Sequence, residues 1–487
     1  MSKSTRGRTA GSKAEESLRE RGPATRPRRL AGHSPSVDEL HTFLERYPQT
    51  QMLELLQPDM LGILRGKRVT RDEFAKPFKS GVNFCGATVL LDSKGQTFEG
   101  IDNGGRDGDP DAISTAVPGS LAPVPWAQVP TAQMLLSMAT ASGEPFFADP
   151  RQVLRHAARP LQEMGLTAVA ATELEFYLLE PDGDRPTRKV GHIPGTRSLQ
   201  DGPHYAFMED LEDIDPFLAE LYSVCAAQNL PVGATLKEFS PGQLEVNLHH
   251  VSSAELACDH AVLLKRAVKA VAKRHGMAAS FMAKPFEDSA GCSLYVHVSL
   301  LDESSRNVFA GSSGGQPFSE KLRHAVGGLA ATMAESMAIF APTANSYRRY
   351  RPGLFVPLTP NWGINHRGVA LRVPLSAPED ARIEHRPGGS DGNPYLVMAA
   401  ILAGIHHGLT RRCDPGPMVS PGEVIEEKIT LPRRWDAALD AFEAGKVLPQ
   451  YLGKRYHDLY ATCRREECER FHAQITDRDY EWYLRVI

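Results

Sequence analysis

Thr172-Glu-Leu-Glu-Phe-Tyr-Leu178 and Gly242-Gln-Leu-Glu-Val-Asn-Leu-His249 decide how this chain folds. Both alternate with period two, so each reads as a β-strand with one apolar and one functional face. Glu173, Glu175 and Tyr177 share a face, opposed by Leu174, Phe176 and Leu178. Gln243, Glu245, Asn247 and His249 oppose Leu244, Val246 and Leu248. Three further segments follow the pattern. Ser293–Leu300 places Tyr295, His297 and Ser299 together. Val369–Val373 is apolar except for Arg372, and Arg382–Arg386 aligns Arg382, Glu384 and Arg386.

A single strand of this kind is satisfied by a polar solvent face. The set is less easily explained that way, because these faces carry carboxylates and arginines and no lysine. If they converge, the carboxylates need a compensating cation. Asp and Glu oxygens suit Mg²⁺ or Mn²⁺, and guanidinium groups suit carboxylate and phosphate. The combination points to a nucleotide–metal site with an acidic small substrate. No Walker sequence and no Gly-x-Gly-x-x-Gly opening a helix after a strand occurs, which argues against P-loop and dinucleotide-binding folds.

Outward from these strands, residues 145 onward alternate helices and strands. Asp149-Pro150 starts one helix, ended by Gly165 and bent near its end by Pro160; another is expected from Ser253 to His275, stopped by Gly276. Residues 36 to 48 read as a helix through Val37, Leu40, Phe43 and Leu44. Residues 50 to 135 read as a small β-rich domain with candidate strands Met60–Leu64, Ala87–Leu91 and Ser120–Val124, and turn chemistry across Asp102–Asp111. Residues 1 to 35 carry nine Lys and Arg against three Glu and almost no apolar content, so a disordered basic tail is expected.

With 487 residues, 41% hydrophobic, 23% charged and a net charge of −4, the chain has the makeup of a soluble protein and no global sign of nucleic-acid binding. No apolar run is long enough to span a bilayer. Seven scattered cysteines without a Cys-x-x-Cys pair argue against a disulfide framework or a zinc site, and place the chain in a reducing cytoplasm.

The ordered blocks resemble the signatures of the glutamine synthetase superfamily. They are Asp59-Met-Leu-Gly-Ile-Leu-Arg-Gly-Lys67, Glu173-Leu-Glu175-Phe, Glu238-Phe-Ser-Pro-Gly-Gln-Leu-Glu245 and Gly291-Cys-Ser-Leu-Tyr-Val-His-Val-Ser299. Asn345-Ser-Tyr-Arg-Arg349, Asn365-His-Arg-Gly-Val-Ala-Leu-Arg372, Arg382-Ile-Glu-His-Arg386 and Gly392-Asn-Pro-Tyr-Leu396 complete the series. The resemblance implies an α+β fold: a β-grasp-like N-terminal domain over 36–140 and a catalytic α/β domain over 141–487 with a large antiparallel sheet. It also implies stacked homo-oligomeric rings with shared active sites, and ATP-dependent ligation of glutamate to an amine through an acyl phosphate.

By the same resemblance Glu175, Glu238 and Glu245 match ligands of one Mg²⁺ or Mn²⁺, and Glu173 and Glu384 ligands of a second, with up to two or three ions per site. His297, Ser299 and Arg372 match ATP contacts, and Arg382 lies beside one. Gly291, Arg349, Arg367 and Arg386 match substrate-carboxylate or acyl-phosphate contacts, Arg367 and Arg386 being the catalytic pair. Three positions depart from the pattern. Phe355 stands where ammonia-using members carry a glutamate, which points to the γ-glutamyl-polyamine and γ-glutamyl-amine branch rather than to ammonia. Ala290 replaces an asparagine beside the glutamate site. Tyr295 replaces a histidine ligand of the second ion, so that Tyr295 ligates as phenolate, water takes its place, or the chain is a degenerate relative with a binding or regulatory role.

Overall fold

The computed structural model describes residues 36–102, 107–181, 185–311, 318–425 and 428–487. The expected basic tail lies outside the described residues, as does 103–106 of the expected Asp102–Asp111 turn.

Helix α1 (Val37–Arg46), capped by Ser36, leads into a six-stranded sheet. Its strands are β1 (Met52–Pro58), β2 (Leu64–Thr70), β3 (Val82–Cys85), β4 (Asp111–Ala116), β5 (Ala122–Pro123) and β6 (Thr131–Ala139). Their order is β2-β1-β6-β4-β3, with β5 also on β6 and a one-turn helix α2 (Lys76–Lys79) before β3. β1 and β6 pair in parallel and the other pairs are antiparallel. β6 is buried along nearly its whole length, so it shows no alternation to read.

Two expected strands are corrected here. Of Met60–Leu64 only Leu64 is strand, and residues 59–63 are the turn of the β1–β2 hairpin. Asp59 closes it by accepting hydrogen bonds from Leu61 N and Ile63 N, both at 2.9 Å, and pairing with Arg65 at 2.8 Å. Ala87–Leu91 is mostly a 3₁₀ turn over Gly86–Leu90. Both runs are apolar because Met60, Val89 and Leu90 plug the core, not because they are pleated. Of Ser120–Val124 only Ala122–Pro123 is strand.

The second sheet has nine strands: β7 (Thr167–Glu180), β8 (Thr187–Arg188), β9 (Val232–Lys237), β10 (Gln243–Leu248), β11 (Ala278–Ser280), β12 (Leu294–Leu301), β13 (Trp362–Ile364), β14 (Leu371–Val373) and β15 (Ile383–His385). The order is β13-β14-β15-β12-β7-β10-β9, with β8 and β11 also on β7. The expectation of an antiparallel sheet needs one correction: the edge pair β13–β14 is parallel. All five segments expected as functional strands lie in this one sheet.

The helices are α3 (Pro150–Glu163), α4 (Met208–Glu212), α5 (Asp215–Ala227), α6 (Ala254–Arg274), α7 (Glu320–Phe340), α8 (Pro394–Arg411), α9 (Trp435–Glu443), α10 (Leu448–Leu452), α11 (Lys454–His472) and α12 (Asp477–Tyr483). Asp149 caps α3 by accepting from Arg151 N, and Ser253 caps α6 by accepting from Leu256 N, each where the sequence places it. α6 lies against β7 and β11. Leu174, Phe176, Val246, Leu294 and Val296 are buried on the apolar side of the sheet. That leaves the opposite side for chemistry. The first sheet reaches the second sheet's helices through its hairpin turn: Asn393, the cap of α8, donates to Asp59 O at 2.9 Å.

Candidate active site

Directly opposed residues on antiparallel strands put their side chains on the same face. The register therefore builds the site. Glu175 faces Glu245, Glu173 faces both Asn247 and Tyr295, and Glu384 faces both His297 and Arg372. Carboxylates from β7, β10 and β15, the Arg372 guanidinium from β14 and Tyr295 and His297 from β12 thus share one surface, joined by Glu238 from the turn after β9.

Glu175, Glu238 and Glu245 each bring one oxygen into a cluster whose atoms lie within 4.8 Å of one another. None of the three forms an ion pair among the described residues. Burial pushes Glu175 up to about 7, and the Glu238 charge adds to the rise against the pull of Arg349 and Arg386. Burial also raises Glu245 well above the ordinary range, reinforced by the charges of Glu173, Glu175 and Glu238. Glu238 is raised by burial, with the Phe239 N–H and Arg367 opposing. Two buried carboxylates and a half-buried third, mutually repelling, fit a hard divalent cation, whose charge would remove both costs. Glu175 is also fixed in place: its Oε2 accepts from Ser293 N at 2.7 Å, and Ser390 Oγ donates to its backbone carbonyl at 2.6 Å.

The second expected ligand set is arranged differently. Glu384 Oε2 lies 2.5 Å from Arg372 Nη1, and its Oε1 pairs with Arg386. Burial would raise Glu384, but Arg386, His297 and Arg372 outweigh it and hold the carboxyl below its usual range. Arg386 lies 4.3 Å over the Tyr295 ring and donates to the phenol oxygen at 3.3 Å. Burial drives the Tyr295 hydroxyl well above its ordinary value in spite of Arg386, so in this environment the phenol keeps its proton. Glu173 meets His297 Nε2 at 3.0 Å, while Arg382 Nε donates to His297 Nδ1 at 3.2 Å.

Arg349 is 1% exposed and donates to Pro387 O at 2.8 Å and Ser293 Oγ at 2.7 Å. Its guanidinium is engaged in bracing the wall rather than lying open. Gly291 belongs to the same wall: a Cβ there would lie 2.7 Å from both Ala283 O and Arg349 Cγ. Arg367 is exposed, with no hydrogen bond or ion pair among the described residues, yet its charge acts on Glu238. Ser299 is buried on β12, opposite Val169, without a side-chain hydrogen bond among the described residues. Phe355 is 77% exposed, and Ala290 meets Ser240 Oγ through its N–H at 2.7 Å.

Gln243 is a member of the site that the sequence reading left without a role. Its amide donates to Gly291 O at 3.0 Å and to Glu175 Oε2 at 3.4 Å, tying the cation cluster to the substrate wall. Its position two residues before Glu245, on the same face, is the signal that could have found it.

A carboxylate cluster for a hard cation, flanked on one sheet face by guanidinium groups, defines a centre for phosphoryl-transfer chemistry on an anionic substrate. Residues 147–483 match the glutamine synthetase catalytic domain, and the chain belongs to that family of ligases. It is 36% identical over 457 residues to the γ-glutamylputrescine synthetase PuuA of Escherichia coli (strain K12), covering 93% of this chain and 95% of that protein. It is 30% identical over 455 residues to the γ-glutamylethanolamide synthetase GlnA4 of Streptomyces coelicolor, covering 92% and 95%. A solved GmaS/ADP complex superposes with a TM-score of 0.78 at 26% identity, covering 91% of this chain and 98% of that one. No helix among the described residues is long and apolar enough to cross a membrane.

Proposed function

We propose that this chain joins the γ-carboxylate of glutamate to an organic amine, with ATP as co-substrate and an acyl phosphate as intermediate. The observation that carries the reading is the Glu175–Glu238–Glu245 cluster, un-neutralised and on one face with Arg372 and Arg386. A Mg²⁺ or Mn²⁺ ion held there would supply Lewis-acid charge to phosphate oxygens. The family resemblance allows up to two or three ions per site, Glu173 and Glu384 holding the second, and the guanidinium pair on Glu384 bears on that number.

In the first step the γ-carboxylate attacks the γ-phosphorus of ATP and ADP leaves. In the second a neutral amine attacks the acyl carbon, phosphate leaves with the C–O electrons, and the amine loses a proton. His297, Ser299, Arg372 and Arg382 would hold the nucleotide. Arg367 and Arg386 would stabilise charge on the moving phosphoryl. Gly291 and Arg349 would shape the glutamate pocket, Arg349 by bracing its wall. Phe355 favours an amine with an apolar stem over ammonium, because an aromatic ring offers contact area and no anionic charge; the named amine ligases among the relatives support that choice.

The same reading divides the chain into a β-grasp-like part over 36–140 and a catalytic part over 141–487. It places active sites between subunits of stacked homo-oligomeric rings, in the cytoplasm, where free thiols persist.

The test is ADP release by the purified full chain with glutamate, Mg²⁺ or Mn²⁺, and a panel of diamines, monoamines and ammonia. Amine-dependent ADP release with formation of a γ-glutamyl amide is expected. Its absence across the panel would favour the second reading, a binding protein without turnover, for which Tyr295 is the specific motive; turnover with ammonia alone would favour glutamine synthesis.

A further inference from the structure

The two carboxylate groups of the site differ in how their charge is met. Glu175, Glu238 and Glu245 gather three carboxylates with no ion pair among the described residues. Glu173 and Glu384 carry two negative charges, but Arg372 and Arg386 both close on Glu384. Arg386 has no freedom to leave that position cheaply. It is 5% exposed, lies over the Tyr295 ring at 4.3 Å, and donates to the Tyr295 hydroxyl at 3.3 Å. A guanidinium over an aromatic face and bonded to its hydroxyl is held by cation–π attraction and by geometry together. The Tyr295 hydroxyl thus gives the arginine one more anchor beside the ring.

Resting on the proposed cation-dependent ligase reading, we infer that a guanidinium rather than a second metal ion neutralises Glu384, and that Tyr295 is the positioning residue that keeps Arg386 there. The chain itself then holds one divalent cation, at Glu175–Glu238–Glu245. The second ligand set does not fit an ion, because Glu384 is already saturated by two cationic side chains and Glu173 lies against His297.

Mn²⁺ titration of the nucleotide-free full chain, followed by the electron paramagnetic resonance signal of free Mn²⁺, tests this without any activity measurement. One tightly bound Mn²⁺ per chain is expected. Tyr295→Phe, which keeps the ring beneath Arg386, should remain at one. Glu384→Gln should also remain at one, while Glu245→Gln should bind it ~10–100-fold more weakly. Tyr295→His, which removes the platform and supplies a ring nitrogen, should take up a second equivalent. Cooperative thermal unfolding of each variant controls for folding. Two equivalents in the unaltered chain, a loss of bound Mn²⁺ in Glu384→Gln, or a single equivalent in a folded Tyr295→His would each overturn the inference while leaving the ligase reading standing. No bound Mn²⁺ in the unaltered chain would overturn both.

Discussion

Glu175 and Glu245 stand directly opposite one another on adjacent antiparallel strands, and Glu238 closes the cluster from the neighbouring turn. Like charges in opposed positions destabilise a sheet. A fold that gathers three of them in one place, two of them buried, has given up stability for binding, and a cation is the partner that returns it.

The cation-free protein should therefore lose stability as pH rises. The folded-state carboxyl of Glu175 lies at about 7 against an ordinary 4.5. Between those values the folded chain holds more protons than the unfolded one, and stability falls with increasing pH. His250, held down at about 4, and His385, at about 3, act in the opposite sense over their own windows. The Glu175 contribution is isolated by comparing the native chain with Glu175→Gln in urea unfolding with chelator at about pH 5 and about pH 8. The native chain should lose a few kcal/mol relative to the variant across that interval, and saturating Mn²⁺ should abolish the difference. A difference that is flat or opposite in sign would show that the cluster is not strained.

Glu245→Gln should separate stability from function. Removing one of three repelling charges should stabilise the cation-free protein by about 1 kcal/mol. The rise in melting temperature on adding Mg²⁺ should shrink, and ADP release should fall by more than ~100-fold. A variant with unchanged turnover would remove Glu245 from the cation site.

Phe355 should set the choice of amine. Phe355→Ala should lower kcat/KM for alkyl amines ~10–200-fold, the loss of about 1–3 kcal/mol of apolar contact, with little effect on KM for ATP. Phe355→Glu should shift the preference toward ammonium. Equal losses for ammonium and for long amines would mean that the ring does not touch the amine.

The wall built by Gly291 and Arg349 should be intolerant of small changes. Gly291→Ala inserts a Cβ 2.7 Å from a backbone oxygen and from Arg349 Cγ, which should cost about 1–3 kcal/mol by overpacking. Arg349→Lys should also destabilise, because one ammonium cannot reproduce the fork that reaches Pro387 O and Ser293 Oγ together. Thermal unfolding of both variants checks this. If either melts as the native chain does, the wall is looser than its contacts imply.

Much of the catalytic sheet was legible in the sequence because a strand with one apolar face writes itself in period two. Glu173 and Glu175 against Leu174 and Phe176 needed no further context, nor did the caps Asp149 and Ser253. The first sheet was harder. β6 is buried on both faces and does not alternate. Met60–Leu64 and Ala87–Leu91 are short apolar runs that a turn can bury as well as a strand can.

The sequence by itself determined which residues of each strand share a face, since the pleat leaves a side chain only two directions; that these faces meet on one sheet came from the strand pairing. The tertiary structure alone decided how those charges pair. Glu384 could meet an ion, Arg372 or Arg386, and spacing along a strand does not distinguish them. The strand register and the Tyr295 ring beneath Arg386 do, because ion pairing depends on a few ångströms between groups that lie far apart in the chain.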